Sequence, residues 1–433
     1  MINNIIEELK GKKIIILGMG LEGVSTYNLL TKYSKELNIY LYDDNNVDKI
    51  VVDKGINIDK NKLVTKSNYI DLLKEYDVII KTPGMSFKGL DVSDYKHKIT
   101  SQVELFLKYN DCLTIGITGS KGKSTTTSLL YEVLNNELDN VIIAGNIGIP
   151  IFDQIENINK DSIVVLELSC QQLQFVTNSP TLAVILNFYE EHLDHYDSYN
   201  DYKNGKLNIV SNNNKTKYFI FDKSIEDICN TKSISNKVVV DYNDKTNIYN
   251  YDFTSKPNLL GEHNKKNILF VLRVLETLKF NNLKQVSNSI NNFKPLEHRI
   301  EPVGTFNGVT FYNDSISTIP EAVISCVEAI PNLDTLIIGG LDRGVNYEAM
   351  VEYINNSNLN NIICLRETGH KLAPKIVKQT HLVETLEEAI QVVYSIDSKV
   401  CALSPGAASY NSFKNFIERG NKYKELIKKY SRR

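Results

Sequence analysis

The stretch Leu113-Thr114-Ile115-Gly116-Ile117-Thr118-Gly119-Ser120-Lys121-Gly122-Lys123-Ser124-Thr125-Thr126-Thr127 decides how the rest of the chain is read. An apolar, β-branched run enters a glycine-rich loop, and the loop opens into a helix. Glycines let backbone N–H groups converge on phosphate oxygens with no Cβ in the way, and the helix N-terminus adds partial positive charge. In such a loop Lys123 reaches the β- and γ-phosphates, and the Ser124 hydroxyl is placed to hold Mg²⁺. The strict P-loop spacing requires glycine five residues before Gly122, where Ile117 stands, so this is a variant with glycines at 116 and 119. A generic glycine turn before a helix is the plain alternative. The Gly-Lys-Ser-Thr run after a strand favours phosphate.

Outward from this loop, short β-branched runs alternate with helical stretches. Examples are 13–17, 38–42, 78–81, 163–168, 183–187, 335–338, 361–365 and 399–403. Such alternation predicts an α/β fold with parallel, doubly wound sheets. Continuous apolar strands such as Ile14-Ile15-Ile16-Leu17 fit sheets covered on both faces. Three domains are expected: a Rossmann-like domain over 1–100, a P-loop ATPase-like parallel sheet over 101–295 and a Rossmann-like α/β domain over 296–433. The Asn-, Lys- and Asp-rich region 211–257 reads as mixed strands and loops.

Bulk properties exclude several classes. The 433 residues carry a net charge of -3 with both signs interspersed, which gives no basis for a nucleic-acid surface. No apolar run approaches the length of a membrane span, and the acidic, amphipathic start lacks the features of a secretory signal. Six scattered cysteines without a C-x-x-C pair read as buried thiols of a reducing cytoplasm.

A second glycine loop, Gly18-Met19-Gly20-Leu21-Glu22-Gly23, follows the first strand, and Asp43 ends the next one, placed for a ribose or base. Alone it would suggest a nicotinamide-dependent oxidoreductase, or a plain βαβ turn. Downstream of the phosphate loop come Gly145-Asn146-Ile147-Gly148, Glu167-Leu168-Ser169, and the acid- and histidine-rich stretch from Asn187 to His195. Mg²⁺ needs a few hard oxygen ligands and keeps waters. Glu167, at a strand end, is a candidate direct ligand, and His192 a less usual one.

Taken in order, these markers resemble those of the Mur ligases, the ATP-dependent enzymes that build the peptidoglycan stem peptide. Gly116–Thr125 resembles the family's ATP loop, and Gly145–Gly148, Glu167–Ser169 and Asn187–His192 are similar to its next markers. Lys206 sits where the family carries a carbamylated lysine. Gly261-Glu262-His263-Asn264, with Asn267, resembles the adenine-contacting helix start. Glu297-His298-Arg299 and Asn313-Asp314-Ser315 resemble the points where the third domain meets the nucleotide.

Within the family the resemblance is to the glutamate-adding ligases. It is carried by Gly18–Gly23, Thr82-Pro83-Gly84 and the run from Ser404 through Ser409 to Phe416. Three positions depart from that pattern: Ile316 replaces a usual lysine, Asn411 an aspartate, and Glu191 an aspartate before the metal histidine.

The resemblance implies a two-step reaction in the cytoplasm, in cell-wall synthesis, by a monomer. The alanine carboxylate of UDP-N-acetylmuramoyl-L-alanine takes the γ-phosphoryl group of ATP, and the amine of glutamate displaces phosphate. Lys123, Glu167, His192 and Lys206 would be catalytic, with metals held by Ser124, Glu167, His192 and carbamylated Lys206. ATP would lie against Gly119, Ser120, Lys121, Gly122, Lys123, Ser124, Thr125, Asn264, Asn267, Arg299 and Asp314. The UDP substrate would meet Gly18, Met19, Gly20, Leu21, Asp43, Thr82, Pro83, Gly84 and Asn146, and glutamate Arg343, Ser409 and Phe416. D-glutamate is the expected amino acid and L-glutamate the alternative. A UDP-sugar-binding protein and a folate-type polyglutamylating enzyme are the other readings. The first leaves Lys123 and Glu167 without purpose, and the second has the wrong domain order.

Overall fold

The computed structural model describes residues 1–65, 67–191, 195–210, 215–243, 249, 251–255, 257–280, 283–410 and 412–431. The chain falls into two compact units, Met1–Phe253 with Lys266–Ile290, and Thr254–Lys265 with Asn291–Arg433.

The first unit holds two parallel sheets. One contains β1 (Lys13–Leu17), β2 (Asn38–Tyr42), β3 (Leu63–Val64), β4 (Val78–Lys81) and β5 (Ile99–Thr100), in the order β3-β2-β1-β4-β5. Ile14, Ile15, Ile16 and Leu17 are all buried, because helices cover both faces. Ile14 and Ile16 pack with Ile5, Leu30 and Val103, while Ile15 and Leu17 pack with Leu72, Leu73 and Tyr76. Burial of each such side chain contributes about 1.5–3 kcal/mol before chain entropy is counted. The other sheet contains β6 (Leu113–Thr118), β7 (Val141–Gly145), β8 (Ile163–Glu167), β9 (Leu182–Ile185), β10 (Tyr218–Asp222) and β11 (Lys237–Val240). Its order is β11-β10-β9-β6-β8-β7, so β10 and β11 are the strands of the weakly patterned region 211–257. β8 and β9 end one and two residues earlier than their apolar runs suggest, which leaves Leu168 and Asn187 in the loops at the sheet edge.

Chain direction places the loops that matter. β1 is flanked by β2 and β4, and β6 by β8 and β9. In open α/β sheets, ligands bind beyond the carboxyl ends of strands where the order reverses. Both glycine loops leave such strands.

The second unit carries β12 (Glu301–Phe306), β13 (Val309–Asn313), β14 (Thr335–Gly340), β15 (Asn361–Glu367), β16 (Gln379–Val383) and β17 (Val400–Leu403). Their order is β12-β13-β17-β14-β15-β16. Here the all-parallel expectation needs correction, because β12 and β13 are antiparallel. The turn between them is Asn307-Gly308, both at positive φ (49° and 81°), as a two-residue hairpin turn of this twist requires. The remaining strands are parallel. No helix among the described residues is long and apolar enough to cross a membrane.

Candidate active site

The phosphate loop is held from below by a neighbouring strand end. The Ser120 N–H donates to the carbonyl of Asn187 at 3.1 Å, and Lys121 N–H donates to Asn187 Oδ1 at 2.8 Å. Asn187 Nδ2 returns a bond to the Lys121 carbonyl at 3.0 Å. Ser120 Oγ accepts from the Tyr189 N–H at 2.8 Å and lies 2.5 Å from the Tyr202 hydroxyl. Gly122 caps the helix Lys123–Asn135 at φ +85°, and a Cβ there would stand 2.5 Å from Asn267 Oδ1. Gly119 has φ +154°, with Leu186 Cβ 2.9 Å from where its own Cβ would be. Glycine is needed at both positions, which places Lys123, Ser124 and Thr125 in the first turn of the helix.

Two ammonium groups meet on this loop. Lys123 Nζ donates to the carbonyls of Gly119 (2.9 Å) and Ser120 (2.8 Å). Lys206 Nζ, from the helix Tyr199–Leu207, donates to the same Gly119 carbonyl at 2.9 Å. Lys206 is only 1% exposed, and burial together with the Lys123 charge pushes its ammonium down to about 7. Its expected companion His192 lies outside the described residues.

Glu167 ends β8 beside the loop and is 1% exposed. Asn146 Nδ2 donates to its Oε1 at 2.8 Å, while Oε2 is buried with no hydrogen-bond partner among the described residues. The close approach is fixed by Gly145, whose Cβ would stand 2.2 Å from the Glu167 carbonyl. Asn146, expected at the UDP substrate, is thus brought to the carboxylate at the strand end. The donor set suits a hard cation: a buried carboxylate oxygen with no hydrogen-bond partner among the described residues. No cluster of three or more acids, histidines or cysteines stands ready for a metal among the described residues.

The first glycine loop is packed as tightly. Gly18 has φ +90°, and a Cβ there would fall 2.2 Å from Thr82 Oγ1. That hydroxyl donates to the Leu17 carbonyl at 2.8 Å. Thr82, Pro83 and Gly84 form the turn after β4, with Met85 N–H on the Thr82 carbonyl. Gly20 caps the helix Leu21–Tyr33, and Leu21 projects from its start, 67% exposed. Asp43 is committed inward: Oδ2 accepts from the Met19 N–H at 2.7 Å, and Oδ1 accepts from the Asn45 N–H at 2.9 Å. A carboxylate already occupies one amide of this loop, so an incoming anion has fewer free donors there than the sequence fingerprint suggests.

Two residues that the sequence reading passed over join the loops. Glu22 accepts from Gln172 Nε2, and Gln172 forms the capping box with Ser169 in the Glu-Leu-Ser stretch. Lys81, 4% exposed at the end of β4, faces Glu22. Burial raises the Glu22 carboxyl to about 7 and lowers the Lys81 ammonium to about 8. A lysine closing an apolar Val-Ile-Ile run was the available signal.

In the second unit, three stretches far apart in sequence converge beyond the ends of β13, β14 and β17. Asp314 accepts from the Ile300 N–H (3.2 Å), Ser404 Oγ (2.8 Å) and Ser317 Oγ. Burial raises its carboxyl to about 6. Asn313 Nδ2 bridges His298 Nδ1 (2.9 Å) and Glu301 Oε2 (3.0 Å). His298 and Ile300, on either side of Arg299, have φ of +65° and +46°. For a β-branched residue that is a strained backbone of the kind found near functional sites. Gly339 N–H donates to the Pro405 carbonyl (2.8 Å) and Leu341 N–H to the Ala408 carbonyl (2.9 Å), which seats the turn carrying Ser409 on β14. Ser409 is buried; Phe416 packs edge-on to His298 with ring centres 6.1 Å apart. Arg343 is exposed, and its neighbour Asp342 pairs with Lys371 at 2.5 Å instead. Asn264, at the start of the helix Glu262–Thr277, donates to the Leu260 carbonyl at 2.8 Å in this unit, whereas Asn267 belongs to the first.

Comparison with known proteins bears on the family and the fold. Residues 117–275 match the Mur ligase middle domain. The UDP-N-acetylmuramoylalanine–D-glutamate ligase of Clostridium tetani is 30% identical over 454 residues, covering 96% of each chain. That of Ligilactobacillus salivarius is 30% identical over 453 residues, covering 98% of each. Among solved structures, the UDP-N-acetylmuramate-alanine ligase of Thermotoga maritima aligns with a TM-score of 0.59 at 19% identity, over 97% of this chain and all of that one. The MurF ligase of the same organism, in complex with ADP, aligns with a TM-score of 0.57 at 14% identity over 98% and 97%. The structural matches speak for the shared α/β fold, and the sequence matches run nearly end to end. The chain belongs to the Mur ligase family, among the UDP-N-acetylmuramoylalanine–D-glutamate ligases.

Proposed function

We propose that this chain adds D-glutamate to UDP-N-acetylmuramoyl-L-alanine in the cytoplasm, as a monomer, with ATP converted to ADP and phosphate. Family membership supports the reaction. The observation that carries the chemistry is the meeting of Lys123 and Lys206 on the Gly119 carbonyl, where the charge of Glu167 acts on Lys206 and its Oε2 has no hydrogen-bond partner among the described residues.

The roles follow from charge and position. The alanine carboxylate oxygen attacks the γ-phosphorus, the bond to the β-bridging oxygen breaks, and ADP leaves. The glutamate amine then attacks the acyl carbon, phosphate departs, and the amine gives up a proton. Little covalent work falls to the protein, so positioning and charge neutralisation carry the rate. Lys123 now donates to two neutral carbonyls, and a phosphate oxygen is a stronger, charge-assisted acceptor for the same ammonium.

Ser124 and Glu167 would hold one Mg²⁺, and His192 and carbamylated Lys206 a second. Bound there, Mg²⁺ would neutralise phosphoryl charge. Burying two ammonium groups side by side is costly. Carbamylation of Lys206 would turn that repulsion into attraction and supply oxygen donors.

Residues 1–100 would hold the UDP moiety through Gly18–Leu21, Asp43 and Thr82–Gly84, with Asn146 reaching it from residues 101–295. Residues 101–295 would hold ATP through Gly119–Thr125, Asn264 and Asn267, with Arg299 and Asp314 from residues 296–433. Arg343, Ser409 and Phe416 would receive glutamate. The cysteines are all free and buried, in keeping with a reducing compartment.

An acyl phosphate can be intercepted. Incubation with ATP, Mg²⁺, UDP-N-acetylmuramoyl-L-alanine and hydroxylamine, without amino acid, should give the hydroxamate of the alanine carboxyl. ADP release with no hydroxamate would exclude the acyl-phosphate route.

A further inference from the structure

Among the described residues, Arg419 is the largest fully buried side chain, 2% exposed on the helix Phe416–Tyr430. Its guanidinium makes three hydrogen bonds, all to neutral oxygens. Nε donates to Ser315 Oγ at 3.1 Å, Nη2 to the Ser315 carbonyl at 2.8 Å, and Nη1 to the Ala407 carbonyl at 3.0 Å. Among the described residues no carboxylate lies within ion-pair distance of it. The Asp314 carboxylate is the charge that acts on it through space, and Asp314 is itself turned toward Ser317, Ser404 and the Ile300 N–H. Burying a guanidinium without a paired carboxylate is costly, and an apolar side chain of similar volume would serve packing better. A charge kept at that cost calls for a use.

The bonds show what the fork ties together. Ser315 follows β13, and Ala407 lies in the turn after β17. Ser315 Oγ, besides accepting from Arg419, donates to the carbonyl of Phe416 at 2.8 Å. The Ala407–Ser409 turn is bonded in turn to the residue that follows β14, the Leu341 N–H donating to the Ala408 carbonyl. Gly340 has φ +146°; a Cβ there would meet the Ala408 carbonyl at 2.4 Å and Arg419 Nη1 at 3.2 Å, so the backbone is packed directly against the guanidinium. One planar group therefore sets the relative positions of the turn bearing Ser409, the helix start bearing Phe416 and the loop after Asp314. It also places a fixed positive charge beneath a sheet edge where an amino acid with two carboxylates would bind.

We propose that Arg419 is the positioning residue of the amino-acid pocket, holding the Ser409 turn and the Phe416 carbonyl in register for an acidic amino acid. The inference rests on the reading of Ser409 and Phe416 as glutamate contacts. A rigid fork is required because the acceptors sit on two separate segments, and a lysine ammonium does not match that geometry.

The test is steady-state kinetics on Arg419→Lys and Arg419→Ala, varying glutamate, ATP and UDP-N-acetylmuramoyl-L-alanine in turn. Both variants should raise the glutamate KM tenfold or more, with the other two KM values within twofold of wild type. Added guanidinium should restore much of the glutamate affinity of Arg419→Ala and do nothing for wild type. Ser315→Ala, which removes the oxygen shared by Arg419 and Phe416, should show the same selective rise and serves if the arginine variants do not fold. Unchanged glutamate KM in variants that merely melt earlier would overturn the proposal, as would an equal rise in all three KM values. Ser409→Ala and Phe416→Ala test the underlying reading separately: if neither changes the glutamate KM, the pocket assignment fails whatever Arg419 does.

Discussion

Replacing Glu167 by glutamine separates a structural carboxylate from a metal-holding one. Asn146 Nδ2 requires an oxygen opposite it, so the glutamine oxygen will face Asn146 and the new NH₂ will take the place of Oε2. Among the described residues that oxygen has no partner to lose. An unpartnered buried polar atom costs about 1–3 kcal/mol whether it is oxygen or nitrogen, so Glu167→Gln should leave folding stability within about 1 kcal/mol of wild type. For a unit of this size that is a Tm change of roughly 2–4 °C. Function should respond very differently. Wild type with Mg²⁺ and a non-hydrolysable ATP analogue at about a hundred times Kd should gain roughly 2.7 kcal/mol of stability. The variant should lose most of that gain, and turnover should fall by about 10²–10³, the scale for removing one preorganised charge contact. Thermal denaturation with and without the Mg²⁺–nucleotide, beside phosphate release, reads both effects. Equal nucleotide-induced stabilisation in both proteins, with turnover within threefold, would refute the placement of Mg²⁺ at Glu167.

Lys206→Ala should be nearly inactive and partly rescued by short carboxylic acids in the buffer; full activity without rescue would make Lys206 a structural lysine. Gly122→Ala forces an L side chain to φ +85° with its Cβ 2.5 Å from Asn267 Oδ1. It should cost about 1–2 kcal/mol in stability and weaken nucleotide binding measured by calorimetry, and unchanged affinity would count against the loop assignment. The Asp314 carboxyl is raised from 3.8 to about 6, so the folded chain binds more protons than the unfolded one between those values. Its contribution to stability is therefore fully present below pH 3.8 and is lost as pH rises to about 6, by up to about 3 kcal/mol. Denaturant titrations across that window should show a shallower pH slope in Asp314→Asn, and an identical slope would place the titration elsewhere. Arg343→Ala should raise the glutamate KM, since Arg343 is exposed while Asp342 pairs with Lys371; an unchanged KM removes it from the pocket.

The glycine loops and most central strands were legible because their signals are local. A β-branched run followed by glycine and a helix start needs only a few residues to be recognised, and Gly18, Gly119 and Gly122 proved to be positions where a Cβ cannot fit. The short edge strands β3 and β5 carry two residues each, too few for a period to show. The antiparallel β12–β13 hairpin was announced by Asn307-Gly308 but masked by the surrounding α/β alternation. What spacing could not reveal is which polar groups turn inward. Asp43 faces its own loop, Glu22 and Lys81 meet across 59 positions, and Arg419 reaches Ser315 and Ala407. Arg419 did leave a trace, as the one charged residue on the stripe Arg419, Gly420, Tyr423, Leu426, Ile427 that the last helix buries.

Phosphate release decides the activity: purified protein is given ATP and Mg²⁺, with UDP-N-acetylmuramoyl-L-alanine and each glutamate enantiomer added singly and together. Sustained release is expected only when ATP, the UDP substrate and D-glutamate are all present, with a product heavier than the UDP substrate by one glutamyl residue. Sustained release with L-glutamate alone would contradict the stereochemical assignment, and no release with any combination would contradict the ligase itself.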